Sequence, residues 1–149
     1  MFMSRHTRSA TIGLAAIGAL IFGGAGAAQA APPGSAIPLN TGQEAPAPSV
    51  GGAHGKFFYE IDGSELCYTI EVTGLSTPAV AAHIHLGERN VAGPVVVPLA
   101  VPAETSFDTS ACTTADPVLL AAIEADPSAY YINVHTEMNR PGEVRGQLK

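Results

Sequence analysis

Three histidines carry the chemistry that can be read from this sequence. His83 and His85 lie one residue apart in "VAAHIHL", an apolar run of strand character. Side chains at i and i+2 of a strand point to one face. Both imidazoles therefore project together, while Val80, Ala82, Ile84 and Leu86 face the other way. His135 sits in "YYINVHT", a second strand-like run near the C-terminus. Three imidazoles converging on one point, with a position left open for water, suit copper or zinc. The competing reading is a set of structural histidines on the wet side of a sheet, bonded across strands or to loop backbone. Convergence requires that the two strands share one side of one sheet or face each other. His54, between "GGA" and Gly55, is an ordinary strand-end residue or a fourth ligand.

The elements that must position these residues read as strands. Turn punctuation recurs every eight to twelve residues, the rhythm of a sandwich or barrel. "GGAHGKFFYEI" ends at the turn signal "DGS". In "ELCYTIEV", Leu66, Tyr68, Ile70 and Val72 alternate with Glu65, Cys67, Thr69 and Glu71, the period-two pattern of a half-buried strand. "VAAHIHL" and "GPVVVPL" follow, and Pro98 makes the latter an edge strand or ends it. A short strand is expected at Ile37–Leu39. One helix interrupts the series: Asp116 as N-cap, Pro117 at the first helical position, an apolar face of Leu119, Leu120 and Ile123, and a stop at Pro127. The expected fold is all-β, an antiparallel sandwich or barrel with one short helix.

The last two strands can be registered by their faces. Tyr130, Ile132 and Val134 share one side of the first, and Val144 and Leu148 one side of the second. A one-residue slip would flip every side chain, so apolar must meet apolar. This pairs Val134 with Val144, and it places His135 opposite Glu143, Asn133 opposite Arg145 and Tyr131 opposite Gln147. The result is a polar binding stripe of Asn133, Glu143 and Arg145 beside the histidines. In this register Glu143 could orient the second nitrogen of His135 as an outer partner of a metal.

Residues 1–30 read as a signal peptide. Arg5 and Arg8 give a basic start, an uncharged run follows, and Ala28-Gln29-Ala30 offers a cleavage site. An uncleaved anchor is the alternative, because the run is nearly long enough to span a bilayer. A flexible segment over 31–36 and one β domain over 37–149 complete the expected organisation. Seven basic residues against thirteen acidic ones give a net charge of −6, and losing Arg5 and Arg8 takes it to −8. With no Lys/Arg cluster, such a surface repels phosphate backbones, so nucleic acid is excluded as a partner. Cys67 and Cys112 both lie in the exported part and are expected to pair. No G-x-S-x-G elbow and no recognisable carboxylate pair points to catalysis.

"LNTGQEAP", "AAHIHLGERNVAGPVVVPL" and "YYINVHTEMNRPGEVRGQL" resemble the blocks of the CHRD domain, first described in chordin. The resemblance runs from Ile37 to Leu148. It implies an all-β exported module, found in bacteria often as a single copy behind a signal peptide, and no agreed catalytic residues. "HIHLG" and "NVHTE" are also similar to two copper-ligating pieces of copper-zinc superoxide dismutases. No histidine lies between His85 and His135, so that family's bridging histidine and zinc cluster have no counterpart. The functional expectation is a secreted or otherwise extracytoplasmic, non-enzymatic binding or structural module. Its partner is an extracellular ligand or protein, with no membrane contact after cleavage. The alternative is a mononuclear copper or zinc site on His83, His85 and His135, for metal sequestration or superoxide-dismutase-like redox chemistry.

Overall fold

The computed structural model describes residues 34–149; the signal-peptide expectation for residues 1–30 lies outside them. Eight strands follow in chain order: β1 (Ile37–Asn40), β2 (His54–Asp62), β3 (Glu65–Thr73), β4 (Ala79–Leu86), β5 (Val95–Leu99), β6 (Phe107–Thr114), β7 (Tyr130–Thr136) and β8 (Val144–Gln147). All pairings are antiparallel, and the spatial order is β5-β4-β7-β8-β1-β2-β3-β6. The sheet curls into a nearly closed barrel whose edge strands are β5 and β6. The seam between these edges is bridged from inside by Tyr68, whose hydroxyl accepts from the Ala100 amide at 2.7 Å and lies 3.1 Å from the Ala100 carbonyl.

The period-two residues fill the barrel. Phe57, Leu66, Ile70, Ile84, Ile132, Val134 and Val144 are all fully buried in one apolar cluster. Helix α1 (Pro117–Ala125) plugs the barrel with Leu120 and Ile123, and the Asp116 side chain caps it by accepting from the Val118 amide. Pro98 lies on an edge strand, as its missing N–H requires. Cys67 and Cys112 are cross-strand partners on β3 and β6 and form a disulfide.

Three features depart from the sequence reading. Strand β6, "FDTSACTT", has no apolar alternation to announce it, because it is an edge strand whose outward residues are exposed. Val80 and Leu86 do not join Ala82 and Ile84 inside; they stand exposed near the two ends of β4, with a register shift between Ala79 and Ala81. The final hairpin takes the expected register at Val134–Val144, Asn133–Arg145 and Tyr131–Gln147. It stops short of His135–Glu143: β8 begins at Val144, and the Glu143 amide instead donates to the Val134 carbonyl.

Candidate metal centre

Strands β4 and β7 are direct neighbours. Their pairing places His83 opposite Asn133, His85 opposite Tyr131 and Ala81 opposite His135. Ala82, Ile84, Ile132 and Val134 point into the barrel, so the alternate residues point outward, and the three histidines share that outer face. His83, His85 and His135 each offer a ring nitrogen within 4.8 Å of the others. The convergence that the sequence left open is present.

The hydrogen bonds decide which nitrogens are free. His85 Nδ1 lies 2.9 Å from the Gly93 carbonyl and His135 Nδ1 2.8 Å from the Arg140 carbonyl. A carbonyl only accepts, so both Nδ1 atoms carry the proton and both Nε2 atoms present lone pairs. His85 Nε2 is buried with no partner. His135 Nε2 lies 3.0 Å from His83 Nδ1, so His83 donates there in the metal-free protein. With its proton on Nε2 instead, His83 would offer Nδ1 beside Nε2 of His85 and His135 as a set of three lone pairs that could hold a metal ion. Backbone carbonyls holding the second nitrogen are the usual outer support of metal-bound histidine.

All three rings are held neutral. Burial lowers the pKa of His83 and of His85, helped by the charge of His85 in the first case and of Arg145 in the second. Burial carries His135 furthest, down to about 4, against the opposing hydrogen bond to Arg140. Neutral imidazoles bind metal at neutral pH without first losing a proton to solvent.

The outer face here is not wet. Every residue of β7 is buried, because loops lie over the side that alternation marks as outward. Arg145 reaches across to the 87–94 loop and donates to the Val91 and Glu88 carbonyls at 3.0 and 2.7 Å. Its guanidinium stacks 3.3 Å over the Tyr131 ring, and Tyr131 stacks in turn on His85 with centroids 4.8 Å apart. Gln147 Nε2 ties the Gly87 and Tyr130 carbonyls together, and the Gly93 amide donates to the Tyr131 hydroxyl. A side chain at Gly93 would strike the Leu86 carbonyl, so this close passage needs glycine.

The predicted stripe therefore separates into two parts. Asn133 and Arg145 flank the histidines but are each 1% exposed. Glu143 does not serve His135, whose second nitrogen is on the Arg140 carbonyl. Its carboxylate turns to the loop after β3, accepting from the Ser76 amide and hydroxyl, Thr136 and Asn139 at 2.6–3.0 Å. Burial would raise its pKa, yet these hydrogen bonds outweigh burial and hold it below the ordinary value. His54 is exposed with Nδ1 against the Gly52 carbonyl, and it is outside the cluster.

Glu44 joins this neighbourhood without any motif in the sequence to announce it. It is 7% exposed, and burial raises its pKa to about 7 despite the opposing charge of Arg145. Gly142, at φ 142°, makes room for it: a Cβ there would meet both the Glu44 carboxylate and Asn133 Nδ2. Four buried side-chain polar atoms without a protein partner fall in this one neighbourhood: Glu44 Oε1, His85 Nε2, Asn133 Oδ1 and Arg145 Nε. Buried unpaired groups are costly, and four of them in one place call for an explanation.

A family model for the CHRD domain matches residues 36–148. The chain belongs to the CHRD domain family. The matched span takes in all eight strands and the three histidines of this CHRD domain. No curated protein and no solved structure matches the chain.

Proposed function

We propose that this CHRD domain is an extracytoplasmic metal-binding module in which His83, His85 and His135 hold one copper or zinc ion. Membership of the family supports a binding or structural module. The metal reading rests on one observation: three buried or half-buried neutral imidazoles whose ligand atoms lie within 4.8 Å, two of them with the other nitrogen tied to backbone. Bonds of about 2.0–2.1 Å from each imidazole would require only a small closing movement. A macromolecular partner docking on the polar stripe is the weaker reading, because Asn133, Glu143 and Arg145 are beneath loops and offer it no surface. The disulfide is compatible with a compartment outside the cytoplasm.

Elemental analysis of the untagged protein after copper or zinc loading tests the proposal. About one equivalent is expected. His83→Ala and His135→Ala should each lose it while remaining folded by circular dichroism. Failure of the wild type to retain either metal, or equal retention by the folded variants, would refute it.

A further inference from the structure

Resting on the metal reading just given, we infer that the site selects a monovalent, soft ion, Cu(I), over divalent zinc, and that Arg145 is the residue that sets this preference. The ligand set is three neutral imidazoles, with no carboxylate and no thiolate among them. The ligands themselves contribute no negative charge to offset that of the metal.

A buried cation stands behind the site instead. Arg145 is 1% exposed, and its hydrogen bonds run to the carbonyls of Val91 and Glu88 and to the Gln147 side chain, none of them anionic. No carboxylate forms an ion pair with it among the described residues, where the one ion pair is Arg140 with Glu137. Glu44, which attracts Arg145 electrostatically, is itself buried with its pKa raised to about 7, so its carboxylate offsets Arg145 only in part near neutral pH. Arg145 is thus a buried charge with no ion pair and only partial compensation, held in place by stacking on Tyr131, which stacks on His85. Each unit of metal charge is repelled across those two layers. The repulsion is twice as large for a 2+ ion as for a 1+ ion, and a dry site screens it weakly.

An imidazole-only site suits copper as well as zinc on ligand grounds, so charge is what remains to discriminate. The same field favours the reduced form of bound copper over the oxidised form. A merely structural Arg145 would hold the 87–94 loop but leave metal choice untouched.

Anaerobic competition between equimolar Cu(I) and Zn(II) for the wild-type protein, read by elemental analysis after desalting, tests the inference. Copper should fill the site. Arg145→Met should lower the Cu(I)-to-Zn(II) affinity ratio by roughly tenfold, and Arg145→Lys should restore most of it. Zinc retained in preference to copper by the wild type would overturn the inference even if Arg145→Met failed to fold, while leaving the metal site standing. An unchanged ratio in a folded Arg145→Met would overturn the role of Arg145. Retention of neither metal would overturn the metal site and this inference together.

Discussion

The two halves of the barrel treat their outer faces in opposite ways. On β2, β3 and β6 the outward residues other than Thr69 are exposed or half-exposed, and the inward ones are buried or half-buried against the core. On β7 both faces are buried, one in the core and one beneath loops. The first half is an ordinary solvated sheet closed by Cys67–Cys112. The second has a thin polar interior of its own, outside the barrel, where two imidazoles, an arginine and a carboxylic acid are buried and a third imidazole, His83, is half-buried. Polar residues on a strand are thus no guide to solvent when a loop returns over them. The same alternation produces a surface in one half and a covered polar layer in the other.

Removing Glu143 should be the most damaging change to the polar half. Glu143→Ala leaves the Ser76, Thr136 and Asn139 donors without their acceptor. A loss of about 3 kcal/mol is expected in urea unfolding. Loss below about 1 kcal/mol would show that water replaces the carboxylate and that this region is as wet as the other half.

The solvated half depends on its staple. Cys67→Ser with Cys112→Ser opens a loop of 45 residues, and about 3 kcal/mol of stability should go with it. Metal content should not change, since the bond lies across β3 and β6, away from the β4–β7 face. Parallel loss of metal would mean that the halves are not independent.

Two titrations sharpen the contrast. The folded-state pKa of Glu44 is raised to about 7, so it binds more protons folded than unfolded. Its contribution to stability is fully present below about 4.5 and is lost as pH rises through 7. Glu44→Gln should therefore gain on the wild type by about 2 kcal/mol more at pH 8 than at pH 4.5, in paired denaturant melts. A pH-independent difference would contradict the burial of its charge. His135 runs the other way. Its pKa falls to about 4, so its contribution is complete above 6.5 and is lost as pH falls through 4. A folded His135→Asn should show a shallower loss of stability between pH 6.5 and 4 than the wild type, by about 1–2 kcal/mol across that interval.

At the small end, Glu71→Ala on the outer face of β3 should shift stability by no more than about 0.5 kcal/mol. A larger cost would mean that the solvated half also carries hidden polar contacts.

What was legible in the sequence follows from which residues depend on local pattern. Alternation in "ELCYTIEV", the Asp116–Pro117 cap and the register of Val134 against Val144 are local or pairwise, and each reappears in the structure. The outward sharing of His83 and His85 followed from strand geometry alone. Strand β6 was missed because an edge strand of Ser, Thr and Asp has no apolar period to detect. Glu44 lies in an irregular Pro-rich segment, and its burial comes from packing against Gly142 and Asn133, nearly a hundred residues away in sequence. The partners of the His85 and His135 rings are backbone carbonyls of Gly93 and Arg140, which no side-chain motif encodes.

The most direct test is anomalous diffraction from crystals of the copper- or zinc-loaded protein, collected at the metal edge. The account predicts a single strong peak between the His83, His85 and His135 rings, about 2.0–2.1 Å from Nδ1 of the first and Nε2 of the other two. A peak elsewhere, or none at that position in loaded crystals, would contradict it.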